Sequence, residues 1–293
     1  MILRDVRKNK IKTYLIFGLF MAFIYLVIYF VGIIFDMSSY IFIIFALVIA
    51  FISSYEAYYN SDKIILKLNG AREATKEEDL MLTNILEGLC LATGLPKPRL
   101  YIMDDSAMNA FATGRNPNNA VICVTTGLLN RLEKYEIEAV LAHELSHIKN
   151  YDILLQSIAI VMVGFVVIIS DIVSRNLYYA GSRDDDNKSN GIIMLIGVVF
   201  ILLSPFFAEL LKLAISRNRE YLADSNAVEI TRNKTGMINA LKKISSDPEE
   251  LEQAHKSSES LFIVSPLKGK KSSSLFSTHP SIEDRIDRIN KLQ

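Results

Sequence analysis

Four long apolar runs constrain the fold of this chain more than any other feature of its 293 residues. The first extends from Thr13 to Phe35, about 23 residues without a charged side chain. A helix of that length crosses the ~30 Å hydrocarbon core of a bilayer. The other three runs are shorter or contain a polar residue, and they cover residues 40–54, 153–172 and 191–211. None is amphipathic, so we predict about four transmembrane helices in two hairpins, with buried core helices as the alternative for the shorter runs.

Basic residues predict how the hairpins are oriented. Five of them precede the first run: Arg4, Arg7, Lys8, Lys10 and Lys12. The linker at residues 36–39 contains no Lys or Arg. The positive-inside rule therefore places the N-terminus in the cytoplasm, together with residues 55–152 and 212–293. The first run is too long for the core of a signal peptide and no small-x-small cleavage site follows it, so we interpret it as a retained anchor.

The net charge and the cysteine content limit the classes of function that the chain can have. The chain carries 32 basic and 32 acidic side chains, and a zero net charge gives no reason to expect a nucleic-acid partner. Its two cysteines, Cys90 and Cys123, match no metal-binding or redox spacing. We expect both to be reduced and buried, as in a reducing compartment.

The segment at residues 143–147 has the sequence H-E-L-S-H, an H-E-x-x-H pattern. In a helix, His143 and His147 lie one turn apart on the same face, where they can bind one divalent metal ion. Glu144 is then placed to act as a base toward a water that the metal activates. The residues upstream have apolar side chains at helical spacing and include no Gly or Pro, which predicts an amphipathic helix.

A polar region of mixed periodicity precedes that helix. A helix is predicted first, opened by the capping-box pattern of Thr75 and Glu78. Three short strands follow, at residues 99–103, 109–114 and 120–124. They predict a small antiparallel sheet beside the H-E-x-x-H helix. A strand at the edge of a cleft can bind an extended peptide through main-chain hydrogen bonds, and residues 109–114 are the candidate; an ordinary strand of a meander is the alternative.

A catalytic zinc site usually has three protein ligands, and the H-E-x-x-H pattern supplies two. Past the fourth run, Glu220 and Asp224 lie at i and i+4 and therefore share a helix face. Glu220 is the candidate third ligand, and Asp224 is placed to accept a hydrogen bond from the outer nitrogen of a ligand histidine. The alternative is that both are surface charges on a solvated helix.

The C-terminal part is less regular. Residues 257–274 are rich in Ser, Lys and Gly and are interpreted as a mobile loop that could cover the site. A short terminal helix is predicted at residues 281–289, just after His279 and Pro280. From the pattern alone, a single histidine beside a proline is more often structural than catalytic.

Taken together, these motifs resemble the HtpX-like membrane zinc metallopeptidases, which are related to the CAAX prenyl protease. Four segments carry the resemblance: N-A-F-A-T-G at residues 109–114, the H-E-x-x-H pattern followed by Asp152, Arg219-Glu220 followed by Asp224, and S-T-H-P at residues 277–280. Their order, with two pairs of hydrophobic segments around the metal motif, is more specific than H-E-x-x-H alone.

The resemblance implies a role for each matching residue. One zinc ion per chain would be bound by His143, His147 and Glu220. Glu144 would be the general base, and Asp152 and Asp224 would support the ligands from behind. Five residues would align the substrate backbone: Asn109, Ala110, Phe111, Ala112 and Thr113. The resemblance also places His279 near the substrate carbonyl, with Arg219 as a second candidate for stabilising the oxyanion.

We therefore predict an α+β integral membrane protein that is mainly α-helical, with a small antiparallel sheet and a zincin-like catalytic domain. The predicted membrane hairpins are residues 1–59 and 153–211, and the two catalytic parts are residues 60–152 and 212–293. The resemblance implies a bacterial inner-membrane protease with a cytoplasmic active site, surrounded by membrane lipid, that degrades damaged or misassembled membrane proteins.

Two alternatives stay open. A CAAX-type processing protease would cut near a lipidated C-terminus, although its relatives have more membrane spans than the four runs seen here. A catalytically silent scaffold would hold a structural zinc, which normally has four protein ligands. The sequence indicates neither the oligomeric state nor the natural substrate.

Overall fold

The computed structural model describes residues 7, 9–22, 25, 39–162, 164, 217–252, 254, 256–265 and 279–292. The fourth apolar run, more than half of the first, the second half of the third and half of the predicted loop at 257–274 lie outside these residues. The helices are α1 (residues 9–22), α2 (Ser39–Tyr59), α3 (Ser61–Leu68), α4 (Lys76–Thr93), α5 (Thr126–Arg131), α6 (Lys134–Lys149), α7 (residues 152–162), α8 (Arg217–Thr231), α9 (Lys234–Ser246) and α10 (Ile282–Asn290). The strands are β1 (Arg72–Glu73), β2 (Arg99–Met103), β3 (Ala110–Gly114) and β4 (Ala120–Thr125).

The predicted class, mainly α-helical with a small sheet, is confirmed, but the antiparallel arrangement is wrong. The strand order is β1-β2-β4-β3, and β2 pairs with β4 in parallel while the outer pairs are antiparallel. A tight 3-10 turn at Pro117–Asn119 joins β3 directly to β4 as a hairpin. Because of this hairpin, β4 runs antiparallel to β3. It also runs parallel to β2 and lies between β2 and β3 in the sheet. The two-residue β1 is too short to leave a periodic pattern in the sequence.

Strand β4 separates two apolar cores. Its side chains alternate, as those of a strand must, so that Ile122 and Val124 pack toward α4 and α6 while Val121 and Cys123 pack toward Phe111. Both cysteines are free and buried, as expected. All six residues of β4 are buried, which fits a central strand.

Helix α6, which carries the H-E-x-x-H pattern, lies at the centre of the larger core. It packs against α8, α9, α4 and the sheet. The predicted helix is present, but the prediction that it is amphipathic is wrong, because every side chain from Ala139 to Ile148 is buried. Surrounding elements therefore cover the polar residues of the motif as well as its apolar ones.

Within the part of the chain that the structure describes, no helix has both the length and the apolarity that a membrane crossing requires.

The predicted capping box at the start of α4 is confirmed and extends into an ion-pair network. The Thr75 hydroxyl accepts from the Glu78 N–H, and the Thr75 N–H donates to Glu78 Oε2 at 2.8 Å. The Arg72 guanidinium donates to both Glu78 oxygens and both Asp104 oxygens, at 2.7–2.9 Å. The Arg72 hydrogen bonds lower the pKa of Glu78 from 4.5 to about 2. This network ties β1 and the end of β2 to α4.

We expect Glu78→Gln to lower the melting temperature at neutral pH, with a loss of stability of about 1 kcal/mol. Because the folded-state pKa of Glu78 is depressed, its contribution is complete above 4.5 and is lost as the pH falls toward about 2. The gap between the melting curves of wild type and variant should therefore close with acidification. Glu87→Gln, at an exposed carboxylate of the same helix, is the control. A gap independent of pH would contradict the prediction.

Candidate metal centre

Helix α6 brings the two motif histidines together. His143 and His147 are separated by one helical turn, and their Nε2 atoms lie 3.2 Å apart. Both rings are almost fully buried, with 0% and 6% of their surface exposed. The Nε2 atoms of both rings therefore face the same small, buried space.

Helix α8 supplies a carboxylate to that point. Glu220 Oε2 lies 3.7 Å from His143 Nε2, and Glu220 Oε1 lies 3.6 Å from His147 Nε2. One ligand atom from each of the three side chains falls within 4.8 Å of the others, close enough to hold a metal ion. Glu220 and Asp224 are both buried, so the alternative that they are surface charges is wrong.

Two further carboxylates lie behind the histidine rings. Asp224 Oδ1 is 3.0 Å from His143 Nδ1, and Asp152 Oδ2 is 3.0 Å from His147 Nδ1. When Nδ1–H donates to a carboxylate, the Nε2 atom carries a lone pair instead of a proton. Two Nε2 lone pairs at this separation of 3.2 Å can both bind one cation. The donor set of two imidazoles and a carboxylate therefore fits a divalent metal such as zinc.

The surrounding charges shape the protonation of the pocket. Burial lowers the pKa of His147, but the hydrogen bond that the ring donates to Asp152 and the nearby Glu220 outweigh burial and raise that pKa to about 9. Burial raises the pKa of Glu220, but His279, His147 and Arg285 hold it well below its ordinary value. Burial lowers the pKa of His143 despite the neighbouring Asp224. The carboxylates thus remain ionised and draw positive charge toward the histidines.

Glu144 lies in the same pocket and stands apart from this network. It is 1% exposed, and neither of its carboxylate oxygens has a hydrogen-bond partner among the described residues. Burial raises the pKa of Glu144 to about 7, and the nearby His147 moderates that rise. An unpartnered carboxyl that faces the metal ligands and the sheet is placed to exchange a proton.

The pairing of β3 determines which of its backbone groups face outward. The Thr125 N–H donates to Asn109 O, so every second residue from Asn109 pairs with β4, and Ala110, Ala112 and Gly114 face the other edge. At that edge Ala110 O accepts from Ile263, and the Gly114 N–H donates to Ser157. Ala112 lies between these two contacts, on the side of Glu144.

The predicted substrate-aligning residues therefore divide into two groups. The Asn109 side chain donates to Val264 O at 2.9 Å and accepts from the Ala110 N–H, so its amide is used within the chain. The backbones of Phe111 and Thr113 pair with β4. The backbone of Ala112 faces away from β4, between the contacts of Ala110 and Gly114.

His279 and Arg219, both predicted near the reaction centre, lie at different distances from the candidate metal ligands. His279 Nδ1 is 3.7 Å from Glu220 Oε2, so His279 borders the metal ligands. Arg219 instead donates to Asp152 Oδ1 at 3.3 Å, which places its guanidinium behind His147.

Arg285 is a member of the site that sequence reasoning missed. It is completely buried, and its guanidinium donates to both oxygens of Asp224, at 2.8 and 2.6 Å. It also donates to Ile263 O at 2.7 Å and lies 3.7 Å from Glu220 Oε2. Arg285 therefore joins the metal ligands to the segment that borders β3. In the sequence it is one of several charged residues on a short helix, with no signal of its own.

Asn9 is the second residue that was missed. From α1, its amide nitrogen donates to Asp152 Oδ1 at 2.8 Å and to Asn150 O at 3.0 Å. The N-terminal helix thus fixes the carboxylate that orients His147. Nothing in the basic stretch around Asn9 marks it, because its partner lies 143 positions further along the chain.

Comparison with known proteins gives concordant results. The model of peptidase family M48 matches residues 76–293. A protease HtpX homolog of Dictyoglomus thermophilum is 46% identical over 98% of this chain and 93% of its own length. Homologs of the same name in Lactobacillus helveticus and Listeria monocytogenes are 42% and 41% identical over the full length of both chains. The crystal structure of S. mikatae Ste24p has a similar fold, with a TM-score of 0.53 at 19% identity over 98% of this chain and 67% of that one.

We expect Asn9→Ala to speed the loss of metal by roughly 10-fold, because Asp152 then holds His147 less firmly. The rate at which a chelator removes zinc measures this, and the visible spectrum of cobalt-substituted protein reports the geometry of the site. Ile16→Val trims a buried side chain of the same helix and leaves the amide in place. Equal metal release from both variants would mean that α1 packing, and not the Asn9 hydrogen bond, is responsible.

Proposed function

Because this chain belongs to peptidase family M48 and is a metalloendopeptidase, we propose that it is a membrane-anchored zinc enzyme whose active site is the pocket between α6 and α8. The observation that carries this proposal is the convergence of His143, His147 and Glu220 beside an unpartnered Glu144. Two imidazoles and a carboxylate form a ligand set that zinc hydrolases use, with a further coordination position left for water or substrate.

Zinc, when bound, supplies a Lewis acid that polarises the scissile carbonyl and makes water more acidic. Glu144 accepts the proton of the attacking water and then delivers it to the leaving amine. Because Glu144 is buried, bulk water does not reach the proton that its carboxyl group carries. His279 is the favoured stabiliser of the oxyanion because it borders the ligand carboxylate, whereas Arg219 is directed to Asp152 and acts by positioning His147.

The substrate binds as an extended strand along the outer edge of β3. The backbone N–H and C=O of Ala112 are the groups that pair with it, since Ala110 O and the Gly114 N–H are bonded to other parts of the chain. Main-chain pairing recognises an unfolded polypeptide whatever its sequence. The polypeptide then crosses the zinc pocket beside Glu144.

Attachment to a membrane is supported by the apolar surface of the N-terminal helices. On α1 and α2, large apolar side chains are exposed, including Ile11, Leu15, Ile44, Phe51 and Ile52. Several exposed apolar side chains on two helices that pack together are typical of a surface that binds a partner or a membrane. Together with the four apolar runs and the basic N-terminus, this supports a bacterial inner-membrane enzyme with a cytoplasmic site. Damaged membrane proteins are the proposed substrates.

The alternatives are less well supported. A silent scaffold conflicts with membership of a peptidase family, and within the described residues the metal site has three ligands where a structural zinc takes four. A CAAX-type processing enzyme is the second alternative, but relatives of 41–46% identity are protease HtpX homologs. Cleavage of an unmodified protein such as casein separates the two activities.

We expect Glu144→Gln to retain zinc and to lose peptidase activity by at least about 100-fold, because the amide cannot accept the proton of water. Metal content and casein cleavage of the detergent-purified full chain measure the two effects. Glu220→Gln is the comparison variant and should lose zinc as well as activity. Full cleavage by Glu144→Gln would overturn the mechanism.

Pairing with Ala112 predicts one sensitive N–H in the substrate. A single N-methyl group, moved residue by residue along a peptide that the enzyme cuts, removes one N–H at a time. At the position whose N–H donates to the Ala112 carbonyl we expect kcat/KM to fall about 10-fold, while the positions on either side are unaffected. An equal effect at neighbouring positions would argue against strand pairing.

A further inference from the structure

A second cavity, of about 430 Å³, lies away from the metal ligands. Its lining comes from four parts of the chain: α1, the end of α2, the turn after β3, and the corner between α6 and α7. The polar and aromatic side chains that matter are Lys10, Tyr14, Tyr58, Arg115, Asn116 and Tyr151. None of the proposed catalytic or metal-binding residues lines it.

The cavity is positively charged. Lys10 and Arg115 both line it, and its lining includes no Asp or Glu. Lys10 Nζ lies 4.6 Å from the centre of the Tyr151 ring, and Arg115 Cζ lies 4.9 Å from the centre of the Tyr59 ring. Contacts with aromatic rings hold a cation in place without neutralising it.

The other contacts of Arg115 are also to neutral groups. Its guanidinium donates to the backbone oxygen of Tyr59 at 3.3 Å and to Asn119 Oδ1 at 3.4 Å. Among the described residues, neither Lys10 nor Arg115 forms an ion pair with a carboxylate. Two fixed cations without a counter-charge form a site for an anion.

The cavity lies where the predicted membrane segments meet the catalytic part. Helix α1 contains the start of the first apolar run, α2 continues past the second run to Tyr59, and the third run begins at Ile153, next to the lining residue Leu154. Phe17 and Tyr58, whose ring centres are 6.4 Å apart, pack α1 against α2 at this level. Tyr14 is 73% exposed, so aromatic and apolar side chains continue outward from the rim. Tyrosine is the residue type enriched where lipid headgroups lie.

We propose that this cavity binds the phosphate of an anionic phospholipid, with Lys10 and Arg115 as its cationic contacts. The phosphodiester oxygens accept from the ammonium and the guanidinium, and the Asn116 amide and the tyrosine hydroxyls are donors for the rest of the headgroup. The acyl chains then lie along the exposed apolar side chains of α1 and α2. This inference uses the membrane attachment of the proposed function but is independent of its peptidase chemistry. Free phosphate shares the recognised group, so a test has to separate the two sources.

Native mass spectrometry of the detergent-purified full chain provides that test. The probes are phosphatidylglycerol, phosphatidylcholine of the same acyl chains, and inorganic phosphate. We expect retained phosphatidylglycerol on the wild type, with retention about fivefold lower in Lys10→Gln and in Arg115→Gln, and lower again in the double variant. Lys67→Gln removes an exposed cation of α3 outside the cavity and should change nothing. Zinc content and casein cleavage, measured on the same samples, show that each variant is folded.

Equal retention of the two lipids, or an equal loss in Lys67→Gln, would overturn the site. Binding of inorganic phosphate as tight as that of phosphatidylglycerol would overturn the lipid as its source. Selective retention that depends on Lys10 and Arg115 supports the proposal even in a preparation that cleaves nothing, and in that case the peptidase mechanism alone would have failed.

Discussion

The structure depends on keeping three ionised carboxylates and two imidazoles together in a buried pocket. Transferring a charge from water into a protein interior costs several kcal/mol unless a partner compensates it. Asp224 is compensated by Arg285, and Asp152 by Asn9 and Arg219. The remaining negative charge converges on one point between the histidine Nε2 atoms. A divalent cation between the three candidate ligands would place positive charge at that point, so we expect metal binding to stabilise this core.

The need to compensate these buried charges explains why the other elements pack around α6. Helix α6 is buried from Ala139 to Ile148, and the elements around it bring polar groups to its histidines or to the carboxylates behind them. Glu220 of α8 faces both histidines, Asn9 of α1 bonds Asp152, and Arg285 of α10 bonds Asp224. These groups come from positions separated by most of the sequence. Asn9 precedes the segment that the family model matches, and through its bond to Asp152 the N-terminal helix adjoins the candidate metal ligands.

Sequence reasoning succeeds where the geometry is local and fails where it depends on tertiary contacts. The spacing of His143 and His147, and that of Glu220 and Asp224, is fixed by the helical period, so the shared face of each pair could be predicted. The mixed sheet could not, because the direction of β4 depends on which neighbour it meets after its turn. Arg285 and Asn9 are single residues whose partners are remote, and their identity gives no hint of burial.

The edge of β3 limits what the proposed enzyme can recognise. Ile263 closes one end of this edge and Ser157 closes the other, which leaves the backbone of Ala112 between them. A substrate that pairs over so short a stretch gains few main-chain hydrogen bonds, and none of them depends on its side chains. Strong selection by sequence would need pockets elsewhere. A short backbone contact accepts any extended segment that reaches it, which suits an enzyme that acts on unfolded protein, and the requirement for an extended segment protects folded neighbours in the same membrane.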